Sequence, residues 1–252
     1  MLTDPWFYAV AVPALLLIGI SKGGFGGGFG TVGVPMMALV IPPTQAAAIL
    51  LPVLALMDLV GLYTYRGLWD REQMKILAPG AVVGIVLGAL TFAITSEDAV
   101  RLIIGAIAVG FTLWRFVGAF RAPEQKAKPS WTKGSFWSGV GGYTSFVAHA
   151  GGPPLNVYLL PQHLDKTQYV GTTVVFFALV NYVKLVPYGI LGQFDVTNLA
   201  TSAVLAPLAP VGVLLGVVLH QRISQELLFR VVYAGLLLTG VKLLWDGSVV
   251  FR

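Results

Sequence analysis

Two stretches dense in glycine hold most of the residues that could bind a small ion. The first reads ISKGGFGGGFGTVGVP over residues 20–35, and the second reads GGYTSFVAHAGGPP over residues 141–154. Each glycine inside a helix costs roughly 1 kcal/mol relative to alanine, so helix propensity does not explain this density. In hydrocarbon, a broken helix is tolerated only where it is buried in protein or lines a wet cavity. We therefore expect the two breaks to meet near the middle of a membrane and to form a site for a small anion.

The first break offers an ammonium group, backbone N–H groups and a hydroxyl as donors. These candidates are Lys22, Gly24, Gly26, Gly27, Gly28 and Thr31. Lys22 could pair with an anion, or it could be a basic residue flanking a full-length span. The glycine N–H groups could bind anion oxygens at the start of a half-helix, or the glycines could serve close helix packing.

The second break offers Ser145, His149, Gly151, Gly152 and Asn156. His149 could bind the anion or carry a coupling proton, because imidazole titrates near neutral pH. A hydrogen-bonded structural histidine at a helix break explains it equally well. The Asn156 amide points either to the site or to another helix, and helix capping is an alternative role for Ser145.

Asp58 lies inside an apolar run, and Asn181 and Lys184 lie inside another. An ionisable residue within a membrane span is a functional hypothesis by default. Asp58 could bind a proton or Na⁺, with Asn181 and Lys184 acting in coupling or gating. Alternatively, Asp58 forms a buried pair with Lys184 that holds the two halves together.

The composition is that of a polytopic membrane protein. The chain of 252 residues is 56% hydrophobic and 11% charged, with a mean hydropathy of +0.81, whereas soluble domains carry about 25% charged residues. The net charge is +5, and the basic residues lie in short loops between apolar runs. This distribution is the one that membrane topology produces, and it argues against nucleic-acid binding. The chain has no cysteine, so it has no disulfide framework and no thiolate metal site.

Ten apolar segments follow one another along the chain. They cover residues 5–21, 26–41, 45–65, 76–95, 99–119, 133–148, 151–161, 168–191, 197–219 and 227–245. The segments beside the breaks are short, so each such pair is either a re-entrant hairpin or two spans. Basic residues near 66–75, 115–133, 166 and 222 place those connections in the cytoplasm and the N-terminus outside.

The two halves of the chain resemble each other. Gly23, Gly33 and Pro35 recur 119 residues later, Asp58 and Tyr65 match Asn181 and Tyr188 at an offset of 123, and Pro79, Gly84 and Gly88 match Pro207, Gly212 and Gly216 at 128. We predict an all-α polytopic membrane protein with two inverted-topology repeats of about five segments each. The N-terminal repeat covers 1–120, a cytoplasmic linker 121–133, and the C-terminal repeat 134–252. Inverted repeats with matching helix breaks are typical of secondary transporters with a midplane site.

The motifs GGFGGGFGTVGVP and TSFVAHAGGPP resemble those of the sulfite exporter TauE/SafE family, and the likeness covers essentially the whole chain. The resemblance implies a multi-pass transporter in a bacterial inner membrane for sulfite, sulfoacetate or another organosulfonate. The sequence departs from the commoner pattern at its second motif, where His149 and polar Ser and Thr residues interrupt the GxGGG repeat.

Three classes of function compete. The first is a secondary carrier that exports a small anion, driven by a proton, by Na⁺ or by the anion gradient, with one repeat rocking against the other. The second is a carrier or passive channel for a different small anion, which as a channel would need a continuous polar pore. The third is an enzyme, for which the sequence offers no Ser/His or HExxH arrangement, no P-loop ending and no cofactor motif.

Overall fold

Apolar helices pack in antiparallel and parallel pairs around a buried centre. The computed structural model describes residues 1–25, 30–92, 94–116, 126–219 and 225–248. Within these ranges the chain is helical and contains no strand. The helices are α1 (Pro5–Gly24), α2 (Gly33–Met37), α3 (Pro43–Thr64), α4 (Arg71–Phe92), α5 (Glu97–Phe116), α6 (Trp131–Ala148), α7 (Gly152–Leu159), α8 (Lys166–Ile190), α9 (Val196–Leu205), α10 (Leu208–Leu219) and α11 (Gln225–Ser248).

Five helical stretches of the described chain are long and apolar enough to cross a membrane. They are Pro5–Gly24, Pro43–Thr64, Arg71–Phe92, Lys166–Ile190 and Val196–Leu219. The last stretch, which the sequence presents as one continuous segment, is interrupted between α9 and α10 at Ala206 and Pro207. Proline lacks the N–H needed by the helix ladder, which accounts for a break at this position. The multi-pass membrane architecture expected from composition is confirmed.

The helices that follow the two glycine-rich breaks are short. α2 has five residues and α7 has eight, and each is continued or preceded by a single 3₁₀ turn. At 1.5 Å per residue α7 is about 12 Å long, well short of a bilayer core of about 30 Å. By contrast, α1 with 20 residues is about 30 Å long. Each break therefore joins a helix of nearly full length to a short one that ends inside the protein.

Helices α3 and α8 run antiparallel through the centre. The Tyr182 hydroxyl donates to the Ala55 carbonyl at 3.2 Å, Gly61 lies against Val174, and Gly171 lies against the carbonyl of Leu68 beyond the end of α3. The contacts thus move backwards along α8 as they move forwards along α3. Most residues of α3 are buried, which is the pattern expected for a central helix.

Glycines allow two other helix pairs to approach closely. In α4, Gly80, Gly84 and Gly88 face Ser135, Gly139 and Phe146 of α6, so these two helices run parallel. Gly19 of α1 faces Gly212 of α10 in a similar way. Small residues let helix backbones touch, which replaces the hydrophobic drive that is absent inside a membrane.

Substituting Gly84 tests this packing. A Cβ at Gly84 would overlap the carbonyl oxygen of Gly139, whereas a Cβ at Gly110 in α5 would meet no atom within 4 Å. We expect Gly84→Ala to lower the free energy of unfolding by about 1–3 kcal/mol through overpacking. Gly110→Ala should be neutral or stabilising by up to about 1 kcal/mol, because alanine favours the helix. Thermal melting in detergent measures both variants, and equal melting temperatures would contradict the packing described.

Candidate functional site

A buried ion pair joins the last turn of α1 to α3. The Lys22 ammonium contacts Asp58 Oδ1, and it also lies 3.5 Å from the Leu54 carbonyl oxygen. Asp58 is 2% exposed and Lys22 is 7% exposed. The structure therefore places Lys22 in the protein interior, and not on an exposed flank of α1. Burial of an ion pair is costly, so its geometry must supply the compensating interactions.

Asn181 of α8 completes the coordination of the Asp58 carboxylate. The Asn181 Nδ2 donates to Asp58 Oδ2 at 2.6 Å, so each carboxylate oxygen has its own partner. The ring of Phe177, one turn earlier on α8, has its centroid 6.0 Å from the Lys22 ammonium nitrogen. A cation at this distance from a ring is attracted to its negative face. The carboxylate thus ties α1, α3 and α8 together.

Lys184 lies one turn beyond Asn181 and contacts the end of α6. Its ammonium donates to the carbonyl oxygen of Ser145 at 3.0 Å and to the Ser145 hydroxyl at 3.1 Å, and it lies 2.6 Å from His149 Nδ1. Lys184 is completely buried. A lysine ammonium has three N–H donors and no acceptor, and here it meets three acceptors. The predicted alternative of an Asp58–Lys184 pair is therefore not the arrangement found, since Lys22 occupies the carboxylate.

His149 ends α6 in a left-handed conformation with φ 51° and ψ 30°. Its backbone N–H donates to the Ser145 carbonyl at 3.0 Å, and the N–H of Ala150 donates to the Thr144 carbonyl at 3.2 Å. The Thr144 hydroxyl also donates to the Ala150 carbonyl at 3.0 Å, which closes the turn. Glycine usually occupies such a position because a Cβ is disfavoured there. The imidazole is thereby held at a place where a helix would ordinarily end in glycine.

The neighbours of the two His149 ring nitrogens indicate its tautomer. Nε2 lies 3.0 Å from the Ala47 carbonyl oxygen, and because a carbonyl only accepts, Nε2 must carry the hydrogen. With Lys184 protonated, its ammonium has no lone pair, so Nδ1 is the acceptor of this bond. This pattern is that of a neutral imidazole with one donor and one acceptor nitrogen.

These side chains form two hydrogen-bonded groups, Lys22–Asp58–Asn181 and Lys184–Ser145–His149, which lie one turn apart along α8. We call the two groups together the polar cluster: Lys22, Asp58, Ser145, His149, Asn181 and Lys184. All six are at most 7% exposed. A small cavity of about 10 Å³ adjoins it, lined in part by Lys22, Asp58, Thr173 and Phe177, and a space of this size holds about one water molecule.

Four further residues predicted for the site lie at the two helix breaks. Gly151 packs against Ser145, and a Cβ there would lie 3.0 Å from Ser145 Cβ. Gly152 is buried at the start of α7. Thr31 is buried in the 3₁₀ turn after the first break, and Gly24 is the buried last residue of α1.

Asn156 makes a separate contact on α7. Its Oδ1 accepts a hydrogen bond of 2.6 Å from the Tyr169 hydroxyl of α8, so the bond found goes to another helix and not to the polar cluster. Gly26, Gly27 and Gly28 lie outside the described residues.

Two participants are not evident from the sequence. The first is the carbonyl of Ala47, which accepts from His149. Pro52 leaves the Ala48 carbonyl without its helical N–H donor, but it gives no signal for the neighbouring Ala47 carbonyl. The second is Phe177, whose position beside Lys22 depends on how α8 packs. In the described ranges, no group of three His, Asp or Glu side chains could hold a metal ion.

Buried charges among helices long and apolar enough to cross a membrane indicate a functional site in a polytopic membrane protein. The comparison with protein families agrees: the sequence profile of the sulfite exporter TauE/SafE family matches residues 11–243. The chain belongs to this family, and the resemblance stated above is confirmed. No curated protein and no solved structure matches the chain. Family membership indicates membrane transport of sulfite or related anions.

The Lys22–Asp58 pair predicts strong coupling between the two residues. Lys22→Met should lower the free energy of unfolding by about 3–5 kcal/mol, because it leaves a buried carboxylate without its cation. Lys22→Met/Asp58→Asn should recover most of that loss, since neither charge then remains. The measurement is a double-mutant cycle by thermal or denaturant unfolding in detergent. If the double variant is no more stable than Lys22→Met, the pair is not the interaction described.

The backbone of His149 predicts an unusual order of substitutions. His149→Gly and His149→Ala both remove the ring, but only glycine adopts φ 51° without strain. His149→Ala should therefore be less stable than His149→Gly by about 1 kcal/mol. The same melting assay checks this difference. An alanine variant as stable as the glycine variant would show that α6 ends in another conformation.

Proposed function

We propose that this protein is a secondary transporter, in the direction of export, of a small sulfur-containing anion such as sulfite, sulfoacetate or another organosulfonate. The single observation that carries the proposal is the polar cluster itself. It places two lysines and one carboxylate in the interior of an apolar protein, on helices from both halves of the chain. Buried cations on helices of both halves offer positive charge to an anion in an otherwise apolar interior.

The anion would bind between the end of α6 and α8. Lys184, Ser145 and His149 supply an ammonium, a hydroxyl and an imidazole that already contact one another, and an incoming anion would replace a protein acceptor on the Lys184 ammonium. Gly151 and Gly152 lie beside Ser145 and could offer backbone N–H groups at the start of α7. Lys22 and Gly24 lie on the opposite side, at the end of α1.

Contacts between matching residues support the inverted repeat. Asp58 and its sequence counterpart Asn181 bond to each other on antiparallel helices, as residues beside a two-fold axis in the membrane plane would. Their neighbours Tyr65 and Tyr188 also act alike, because each hydroxyl donates to a backbone carbonyl near the end of the helix before a break, at Gly23 and Phe146.

The glycine contacts between helices support the same repeat. Gly84 of α4 packs against α6, and its counterpart Gly212 of α10 packs against α1. This arrangement agrees with repeats over 1–120 and 134–252 joined by the linker 121–133. Inverted repeats supply two related conformations, one open to each side of the membrane.

The closed geometry of the cluster supports a carrier over an open channel. The cavity of about 10 Å³ beside Lys22 and Asp58 is too small for an oxoanion. Lys184, Ser145 and His149 are at most 5% exposed, so an anion can reach them only if helices separate. Asp58 and Asn181 bridge α3 and α8 and would act as the gating contact, with a proton or Na⁺ as the coupling ion at the carboxylate. The distribution of basic residues supports a bacterial inner-membrane location with the N-terminus outside and the linker in the cytoplasm.

Ligand-induced stabilisation tests the proposal. The purified protein is melted with sulfite, thiosulfate, sulfoacetate, isethionate, sulfate, acetate and chloride, as wild type, Lys184→Met and Lys22→Met. Lys242→Gln serves as the matched control, because Lys242 is an exposed lysine paired with Asp246 on α11. A ligand at 100-fold its Kd adds roughly 2.7 kcal/mol of apparent stability.

We expect sulfite or an organosulfonate to stabilise the wild type and Lys242→Gln, and the effect to disappear in Lys184→Met. If the anion stabilises both Lys184→Met and Lys22→Met, it binds at another site. If no anion stabilises the wild type, the proposed function is wrong.

A further inference from the structure

The charges of the polar cluster do not balance. Among the described residues, the buried ionisable side chains other than tyrosines are Lys22, Asp58, Lys184 and His149. The hydrogen bonds of His149 are those of a neutral ring. With both lysines protonated and Asp58 ionised, the cluster carries a formal charge of +1 beside the neutral His149 ring.

The two lysines are not equivalent in this count. Lys22 is already neutralised, because its ammonium contacts the Asp58 carboxylate. Lys184 has only neutral partners, namely the carbonyl and hydroxyl of Ser145 and the ring of His149. The uncompensated charge thus belongs to Lys184, one turn of α8 away from the bridged carboxylate.

Because the cluster is buried, its net charge strongly affects which anion can bind. In a site of low dielectric constant, an uncompensated charge is far more costly than in water. A monoanion bound at Lys184 brings the cluster to zero, whereas a dianion would bring it to −1. Asp58 sets this balance, since its carboxylate cancels the second lysine and leaves only one cation for the substrate.

We propose that Asp58 determines the charge selectivity of the site, and that the transported species is a monoanion, such as a sulfonate without a second acidic group or the singly protonated form of sulfite, and not a dianion such as sulfoacetate. This inference rests on the proposed anion transport and narrows its substrate class. It assigns Lys184 as the residue that pairs with the anion. It assigns Asp58 as the residue that neutralises Lys22.

Methanesulfonate and sulfate are a suitable pair of probes. Both hold a tetrahedral sulfur bonded to at least three oxygens, and they differ by one unit of charge at neutral pH. The wild type should bind methanesulfonate at least tenfold more tightly than sulfate, measured by calorimetry or by the ligand dependence of the melting temperature at constant ionic strength. This comparison needs no variant, so the proposal is testable even if every substitution fails to fold.

Variants then change the count one charge at a time. Asp58→Asn raises the cluster to +2 and should shift the ratio of the two affinities towards sulfate by about tenfold or more. Lys22→Met/Asp58→Asn returns it to +1 and should restore the preference for methanesulfonate, although both residues of the ion pair are altered. Lys242→Gln, which removes an exposed charge, should leave the ratio at the wild-type value.

The outcomes separate this inference from the proposed function. If methanesulfonate and sulfate bind the wild type equally, or if Asp58→Asn leaves the ratio unchanged, the charge-selectivity role of Asp58 is wrong while anion transport stands. If the double variant keeps the preference of Asp58→Asn, the effect of Asp58 does not act through the count of charges. If no anion in the larger panel binds, both this inference and the proposed function are overturned.

Discussion

The burial of charge in an apolar protein is the constraint on which the rest of the structure depends. An isolated ammonium or carboxylate in hydrocarbon is costly, so each charged group must have partners before the helices can pack. Asp58 has Lys22 on one oxygen and Asn181 on the other. Lys184 has three acceptors at the end of α6. These contacts fix the relative positions of α1, α3, α6 and α8.

The glycines allow this arrangement to close. Helices α4 and α6, and helices α1 and α10, approach each other along glycine-lined faces, which carries the ends of α1 and α6 to the centre. The end of α1 contributes Lys22 to the centre, and the end of α6 contributes Ser145 and His149. Close packing and a functional site at the breaks are therefore compatible roles for the glycines. Gly19, Gly23 and Gly84 allow the helices to pack closely, which positions the polar side chains. The breaks end the helices near the cluster, where side chains and backbone groups meet.

The sequence predicts the general architecture well because composition and apolar length are local properties. The multi-pass helical fold and the family are confirmed, and the bounds of α3, α4 and α8 lie within a few residues of the expected segments. Pairing within the centre is harder to predict, because it depends on the rotation of each helix. Asp58 could be matched with Lys184 on sequence grounds, but α8 presents Asn181 to it and α1 supplies the lysine. The role of the Ala47 carbonyl is harder still, since a backbone group carries no signature in the sequence.

The claim that the polar cluster is the transport site is tested most directly by counterflow in proteoliposomes. Vesicles loaded with an excess of unlabelled isethionate are diluted into labelled isethionate, and transient accumulation of label is followed for the wild type, Lys184→Met and Lys242→Gln. A carrier with one alternating site accumulates label above its equilibrium level, because each unlabelled exit returns a site that can take up label. If the polar cluster is the transport site, the wild type and Lys242→Gln accumulate label and Lys184→Met does not. Accumulation by Lys184→Met at the wild-type rate would show that transport does not depend on the cluster.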